Sequence, residues 1–232
     1  MFHPGKLPRL PILCYVTDRK GLAFAGNDQS EALLKRVGTV AAAGIDWIQI
    51  REKDFSGKQF SSLARAAVAQ TKQINERNGR QTRIIVNDRL DVALSENTGG
   101  VHLSEHSLPV RDVCTWLAAN PNLAEPDKFL AGASCHSVQA ALSAARDGAD
   151  YIFFGPVFAT PSKASFGSPQ GLERLAEVCN AVSIPVLAIG GITVDNASDC
   201  FAAGAGGVAA IRLFQDAENP APLVTSLRAS FG

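Results

Sequence analysis

The sequence predicts a protein of the α/β class, folded as a single (β/α)8 TIM barrel. Eight short apolar segments alternate with eight longer, Ala-rich segments of helical periodicity. Dividing 232 residues among eight units gives about 29 residues per unit, which suits a barrel of roughly 250 residues. The apolar segments show little alternation between apolar and polar residues, as expected for parallel strands buried on both faces. Strict βα alternation also implies parallel strands joined by right-handed crossovers.

The strands are predicted from short, largely apolar runs that end at glycine, proline or polar residues. They are Ile12–Thr17, Trp47–Arg51, Ile84–Asn87, Gly100–Leu103, Leu130–Ser134, Tyr151–Gly155, Pro185–Gly190 and Gly207–Ile211. A doubly wound open sheet is the alternative, but no Gly-x-Gly-x-x-Gly motif follows the first strand.

The helices are predicted to begin near Gln29, Gly57, Arg89, Val110, Ser137, Gln170, Val194 and Pro220. Asp28 and Ser137 are candidate N-caps, and the Ala-Gly pairs at 43–44 and 203–204 are candidate helix ends. No change of composition marks a linker, so residues 1–232 are assigned to one domain, with residues 1–10 as an N-terminal extension.

Composition excludes several classes of function. The 22 Lys and Arg balance 22 Asp and Glu, which argues against a general nucleic-acid or membrane-surface binder. No apolar run approaches the roughly 18 residues of a membrane span, and the N-terminus does not resemble a signal peptide. Five scattered cysteines without a Cys-x-x-Cys motif indicate reduced thiols and a cytoplasmic protein. The sequence is compatible with a homo-oligomer but does not establish one.

The predicted barrel directs attention to the carboxyl ends of its strands, where catalytic residues of this fold lie. Nearly every strand ends in a polar or glycine cluster. These clusters are Thr17-Asp18, Gln49 to Lys53, Asn87-Asp88-Arg89, Ser104 to Ser107, Ser134 to Ser137, Thr160 to Lys163, Gly190-Gly191 and Ile211-Arg212. One such cluster could be a solvated loop, whereas their repetition at one barrel face favours a functional site.

Two of these loops are suited to phosphate groups. Residues 155–163 pass from Gly-Pro through hydroxyl residues to Lys163, and residues 188–192 break into Gly190-Gly191 before a helix. Exposed backbone N–H groups at a helix N-terminus favour an anion, and a lysine adds a positive charge. Consecutive loops of this kind predict one or two phosphate-rich substrates.

The sequence resembles the thiamine phosphate synthase/TenI family from Tyr15 to Phe214. The matching strings are Tyr-Val-Thr-Asp at 15–18, Gln-Ile-Arg-Glu-Lys-Asp at 49–54, Asn-Asp-Arg-Leu-Asp at 87–91, Gly-Val-His-Leu at 100–103, the loop at 155–163, and Gly-Gly-Ile at 190–192. The resemblance implies a transferase that joins a pyrimidine diphosphate to a thiazole phosphate. Mg²⁺ would assist the departure of pyrophosphate, and the thiazole nitrogen would capture a pyrimidine cation.

The chemistry of the residues agrees with this reaction. The negative charge that develops on departing pyrophosphate is neutralised by a metal ion and by fixed cations. Arg51, Lys53 and Lys163 would supply the fixed cations. Asp88 offers a hard carboxylate to Mg²⁺, and carboxamides such as Gln49 suit the donors and acceptors of a pyrimidine. By the resemblance, Ser134 faces the substrate and is a further candidate catalytic residue. The further substrate contacts, most of them implied by the resemblance alone, are Asn87, Thr160, Ser162, Gly191, Ile211 and Arg212.

Other interpretations are available for several of these residues. Arg51–Glu52 or Lys53–Asp54 could be surface ion pairs. Asp91 is expected to cap a helix or form a salt bridge, and His102 to be a buried, hydrogen-bonded histidine. His136 follows a strand end and is a candidate acid or base, since histidine titrates near neutrality.

Two positions depart from the family pattern. Synthases of the family carry an aspartate where this chain has Ser107, so Glu105 would have to serve as the second metal carboxylate. Arg212 replaces a small hydroxyl residue; it could bind phosphate, point outward or block the pocket. The alternatives are a TenI-type thiazole tautomerase, in which His136 shuttles a proton without metal, and a non-catalytic paralogue that binds thiazole or thiamine phosphates.

Overall fold

Eight parallel strands close into a barrel in which each strand pairs with the next and β8 pairs with β1. The computed structural model describes residues 7–22, 28–123, 128–160 and 168–231. The strands are β1 Ile12–Val16, β2 Trp47–Ile50, β3 Arg83–Asn87, β4 Gly100–Leu103, β5 Leu130–Cys135, β6 Tyr151–Phe154, β7 Val186–Ile189 and β8 Gly207–Ala210. The predicted barrel is confirmed, and each strand end lies within one residue of its predicted position.

Helices follow the strands and surround the barrel. They are α1 Gln29–Ala42, α2 Gly57–Asn78, α3 Leu90–Ser95, α4 Val110–Ala119, α5 Val138–Arg146, α6 Gly171–Ala181, α7 Val194–Ala202, α8 Arg212–Gln215 and α9 Pro220–Ala229. The eight predicted helix starts are correct to within one residue. The short α8 and a 3-10 turn at Arg19–Gly21 were not predicted, because elements of three or four residues carry no periodicity.

The predicted helix ends are confirmed by their hydrogen bonds and backbone angles. The Asp28 carboxylate accepts from the backbone N–H groups of Ser30 and Glu31, and the Ser137 hydroxyl accepts from that of Ala140. Gly44 and Gly204 adopt φ angles of +91° and +96° just beyond α1 and α7. That left-handed conformation suits glycine, so these two residues fix where the helices stop.

The core has two layers separated by the sheet. Along β1, Ile12, Cys14 and Val16 join an inner cluster, whereas Leu13 and Tyr15 join the outer cluster between sheet and helices. The other buried members of the inner cluster are Trp47, Ile85, Leu130, Tyr151, Phe153, Leu187 and Ala209. Since side chains alternate between the two faces of a strand, later positions of the same strands bring polar residues to the barrel mouth.

The amino end of the barrel carries a cavity of about 260 Å³, far from those polar strand ends. Its walls include Trp47 and Arg228, and the Arg228 guanidinium donates to the Asp46 carboxylate at 3.0 Å and to the carbonyls of Pro11 and Gly44. These bonds join α9 to the loops beneath the strands. This end of the molecule therefore contributes to stability.

Two expectations from composition can be compared with the structure. All five cysteines are free, as their spacing predicted. Within the described ranges, no helix combines the length and the apolar character that crossing a membrane requires.

We predict that Gly132→Ala destabilises the barrel. Gly132 of β5 pairs with Tyr151 of β6, and a Cβ at position 132 would lie 2.1 Å from the Tyr151 ring. The buried ring would have to move, so the free energy of unfolding, measured by urea denaturation, should fall by about 1–3 kcal/mol. Gly206→Ala is the control, because a Cβ there meets its nearest atom at 3.4 Å. Equal stability of the two variants would contradict this packing.

Candidate active site

Two amides and a carboxylate form a continuous chain at the ends of β2 and β3. Gln49 Nε2 donates to Asn87 Oδ1 at 2.7 Å, and Asn87 Nδ2 donates to Asp88 Oδ2 at 2.7 Å. Gln49 is 2% exposed and Asn87 is 8% exposed. The Oε1 atom of Gln49 is buried and finds no hydrogen-bond partner within the described part of the chain. Since buried polar atoms are normally hydrogen-bonded, a buried amide oxygen without a partner indicates a place where a ligand can donate a hydrogen bond.

Asp88 is held in one orientation by its neighbours. Its backbone has φ +61°, its N–H donates to the His102 carbonyl at 2.9 Å, and Ser104 donates to the carboxylate through its N–H to Oδ1 at 2.8 Å and its hydroxyl to Oδ2 at 3.0 Å. Each carboxylate oxygen has two acceptor positions. Ser104 and Asn87 occupy both positions on Oδ2, whereas Oδ1 accepts one bond from the described residues and keeps one position open.

An oriented carboxylate with an open oxygen fits Mg²⁺, which keeps several waters and takes one or two protein carboxylates together with substrate phosphates. Across the described residues, no cluster of three or more His, Cys, Asp or Glu side chains could hold a metal ion. Within that part of the chain, Asp88 would be joined by at most one more carboxylate. Glu105, the other predicted ligand, is exposed, and its Oε2 lies 3.9 Å from His136 Nε2.

His136 is oriented by the loop after β6. Its Nδ1–H donates to the carbonyl oxygen of Gly155, and Nε2 faces the Glu105 carboxylate. Because a carbonyl can only accept, Nδ1 carries a proton and Nε2 is the nitrogen that can exchange one. The geometry leaves Nε2 as the one ring nitrogen of this histidine that is not bonded to a backbone carbonyl of the described residues.

Arg51 and Lys53 follow β2, and their acidic neighbours in sequence bind other cations. Glu52 is buried; its carboxylate accepts from the Thr17 hydroxyl at 2.7 Å and from the Arg19 guanidinium at 3.1 Å. Arg19 also forms two bonds, of 2.6 and 2.7 Å, to Asp54. This contact raises the pKa of Arg19 and holds the pKa of the Asp54 carboxyl well below its usual range.

The interpretation of Arg51–Glu52 or Lys53–Asp54 as ion pairs is therefore wrong. Glu52 and Asp54 bind the turn after β1, and Lys20 adds a further contact to Asp54 at 2.9 Å. Among the described residues, no carboxylate forms an ion pair with Arg51 or Lys53. Within that part of the chain, both cations are available for an anionic ligand.

A histidine inside the barrel connects two hydroxyl groups. His102 Nε2 lies 2.9 Å from Ser134 Oγ, and His102 Nδ1 lies 3.2 Å from Tyr151 Oη. Burial lowers the pKa of His102 to about 3, an effect that Asp88 opposes and Arg51 reinforces. The prediction of a buried, hydrogen-bonded histidine is confirmed.

The loops after β6 and β7 pack tightly together. Val157 and Phe158 donate their N–H groups to the carbonyls of Ile189 and Gly190 at 2.9 and 3.0 Å. Gly191 has φ +66°, and a Cβ there would lie 2.6 Å from the Ala159 carbonyl.

Only glycine permits that close approach, which brings Gly191 beside the segment leading to Thr160, a half-buried residue. Ser162 and Lys163, the predicted phosphate contacts on this segment, lie outside the described residues.

The remaining predicted positions lie where the sequence placed them, at strand ends. Ile211 packs on the inner cluster, and Arg212 is the exposed first residue of α8. Ser107 is half-buried and donates its N–H to the Ser104 carbonyl at 2.9 Å. Asp91 pairs with Arg89 at 2.6 Å, which lowers the pKa of the Asp91 carboxyl. The expectation of a salt bridge at Asp91 is confirmed.

Sequence reasoning missed three contributors to this site: Ser104, Arg19 and Tyr151. Ser104 was assigned only to the polar loop at 104–107, because its contact with Asp88, 16 residues away, has no signal in the sequence. Arg19 and Tyr151 had no signal in the sequence, since each acts on a residue at least 33 positions away.

Comparisons with known proteins agree on one family. A family profile described as thiamine monophosphate synthase matches residues 14–214. A thiamine-phosphate synthase of Chlorobium luteolum is 38% identical over 222 residues, covering 96% of this chain and 93% of the relative. One from Methanoculleus marisnigri is 46% identical over 171 residues, 74% of each chain. The solved thiamine phosphate pyrophosphorylase of Pyrococcus furiosus superposes with a TM-score of 0.76 at 28% identity, covering 96% of this chain and 98% of that one.

We predict that Glu52→Gln lowers the free energy of unfolding by about 1–3 kcal/mol, because a buried carboxylate that accepts from Thr17 and Arg19 is replaced by a weaker acceptor. Urea denaturation would measure the loss. Asp54→Asn is the matched control: it removes an exposed partner of the same Arg19 and should change stability little. A larger effect at Asp54 than at Glu52 would refute the anchoring role of Glu52.

Proposed function

The chain belongs to the thiamine monophosphate synthase family, and on that basis we propose that it condenses hydroxymethylpyrimidine diphosphate with a thiazole phosphate. The C–O bond to the departing pyrophosphate breaks, with the electron pair leaving on oxygen. The thiazole nitrogen then forms the new C–N bond to the pyrimidine methylene carbon. The observation that carries the proposal is the unpaired, buried Gln49 Oε1 beside the Asn87–Asp88 pair and the two available cations.

Recognition of the pyrimidine follows from the two amides. Leaving a buried acceptor unpaired costs about 1–3 kcal/mol, so a ligand that donates to Gln49 Oε1 recovers that energy on binding. An amino group on a pyrimidine ring is such a donor. Asn87 holds the Gln49 amide in place through the 2.7 Å bond between them, which leaves the Oε1 atom presented to the ligand.

Stabilisation of the leaving group follows from the charges at the strand ends. Negative charge grows on the pyrophosphate as the C–O bond breaks, and fixed cations lower the energy of that state. Arg51 and Lys53 would supply them after β2, and Lys163 from the loop after β6. Asp88, with Glu105 as the second carboxylate, would hold Mg²⁺. When bound, this ion neutralises phosphate charge as a Lewis acid.

The second phosphate would bind at the loops after β7 and β8. Gly191 lies where the chain enters α7, and its carbonyl is fixed by Asn196 Nδ2 at 2.9 Å. Its N–H, with Thr160 and Ser162 from the neighbouring loop, would contact the thiazole phosphate. Ile211 would contact the ligand from β8, and Arg212 would add a guanidinium, which binds phosphate bidentately.

The cellular setting also follows as a proposal. A cytoplasmic location rests on the reduced state expected for the scattered thiols, and association into a homo-oligomer stays a prediction.

We predict that Asp88→Asn lowers the rate of thiamine phosphate formation by at least about 100-fold at saturating Mg²⁺, through loss of the metal carboxylate. The assay supplies both phosphorylated substrates to the purified protein, with Mg²⁺ and with EDTA. Asp91→Asn is the control, since Asp91 pairs only with Arg89 in the described structure, and its rate should stay within about threefold. Equal rates with Mg²⁺ and EDTA would refute the metal requirement.

A second candidate function is favoured by the fixed proton on His136. With Nδ1–H bonded to the Gly155 carbonyl, Nε2 could move a proton to or from a carboxylated thiazole phosphate, as in a TenI-type tautomerase.

We predict for this candidate that solvent deuterium enters the thiazole phosphate, followed by NMR, and that His136→Gln slows the exchange by at least about 100-fold. Ser137→Ala, which removes only a helix cap, is the control. Exchange no faster than in protein-free buffer would exclude the tautomerase.

A further inference from the structure

Three side chains form a hydrogen-bonded series that runs from the interior of the barrel to its mouth. Tyr151 Oη lies 3.2 Å from His102 Nδ1, and His102 Nε2 lies 2.9 Å from Ser134 Oγ. Tyr151 and His102 are 0% and 1% exposed, whereas Ser134 is partly exposed at the end of β5. Only Ser134 can therefore meet a ligand, and the other two act through it.

The fold makes room for this series in a specific way. In the strand register His102 of β4 faces Gly132 of β5, and Gly132 faces Tyr151 of β6. The glycine has no side chain to separate its two partners, so the Tyr151 ring crosses β5 and reaches the imidazole. Trp47 packs against the same ring with 4.5 Å between centroids, and Phe153 lies 4.2 Å from the imidazole. The aromatic groups fix both rings.

The direction of the hydrogen bonds follows from the requirement that each buried O–H or N–H group has an acceptor. His102 Nδ1 is the hydrogen-bond partner that the described residues offer to Tyr151 Oη. If Tyr151 accepted from Nδ1–H, its own proton would be buried and unpaired, at a cost of about 1–3 kcal/mol. Tyr151 therefore donates to Nδ1. A neutral imidazole has one donor and one acceptor nitrogen, so Nε2–H donates to Ser134 Oγ.

We propose that Tyr151 and His102 are positioning residues that fix Ser134 as a hydrogen-bond donor toward the substrate. With its oxygen already accepting from His102, the Ser134 hydroxyl keeps its own proton to give. The strands β3, β4 and β5 are neighbours, and Asp88 at the end of β3 donates its N–H to the His102 carbonyl at 2.9 Å, so this hydroxyl lies at the same side of the mouth as Asp88, where the pyrophosphate would bind. Resting on the proposed function, the acceptor is an oxygen of the departing pyrophosphate, where the bond strengthens as charge develops.

The tautomer of His102 tests the direction of the series without any substrate. Protein labelled with ¹⁵N at histidine is examined by two-bond ¹H–¹⁵N correlation NMR at neutral pH, and the His102 signals are identified by their absence in His102→Gln. We expect the Nε2–H tautomer in the unchanged protein and a mixture in Tyr151→Phe, which lacks the donor. An Nδ1–H tautomer in the unchanged protein would overturn the proposal.

Kinetics test the consequence for catalysis, with the chain's second tyrosine as a matched control. Tyr15 is equally buried, and its hydroxyl bonds Gln215 at 3.0 Å, outside the series. We expect Tyr151→Phe to lower kcat about tenfold with KM for the pyrimidine diphosphate nearly unchanged, and Tyr15→Phe to leave kcat within about threefold. Equal kcat values in the two variants, at matched stability in urea, would overturn the role of Tyr151.

The two measurements separate this proposal from the proposed function. The unchanged protein could form no thiamine phosphate although its His102 is the Nε2–H tautomer. In that case the synthase assignment and the role of pyrophosphate as the acceptor are wrong, while the donor role of Ser134 stands. If the unchanged protein forms thiamine phosphate with His102 as the Nδ1–H tautomer, the positioning role fails and the synthase assignment stands.

Discussion

Closure of eight parallel strands decides what every residue of the sheet faces. Because side chains alternate along a strand and a closed barrel has no edge at which the register could slip, alternate positions are committed to the interior. On β2 this places Trp47 in the apolar cluster and Gln49 above it; on β3 it does the same for Ile85 and Asn87. The apolar residues fill the lower barrel, and the polar residues that follow them converge at its mouth.

The positive charge at the barrel mouth depends on ion pairs that neutralise the neighbouring acidic residues. The chain has no net charge, and its Arg-Glu-Lys-Asp segment at 51–54 is itself neutral. Arg19 forms ion pairs with both acids of this segment, with Glu52 in a buried contact and with Asp54 at the surface. What the segment then presents to a ligand is two positive charges. Two positive side chains are thus left after β2 without a basic composition, because Arg19 and Lys20 together balance the charges of Glu52 and Asp54.

The loop after β4 orients a carboxylate of the neighbouring strand end. Ser104 donates both its N–H and its hydroxyl to the Asp88 carboxylate, whereas Ser107 of the same loop stands where the family resemblance implies an aspartate. The loop thereby contributes orientation in place of charge. His102, which precedes it on β4, continues the same polar layer toward Ser134 and Tyr151, so one strand and its loop organise both halves of the mouth.

Local features of the sequence were enough to predict the barrel, the limits of its strands, the starts of eight helices and the polar residues at the strand ends, because these depend on periodicity, capping and the rule that the carboxyl ends of parallel strands share one edge. The sequence also identified Asp91 and His102 as structural, from their immediate surroundings. Tertiary structure alone decided the partners. Arg19 reaches Glu52 across 33 residues, and Tyr151 reaches His102 across 49, past a glycine on the strand between them. Such contacts depend on register and closure, which bring together residues that no spacing in the chain relates.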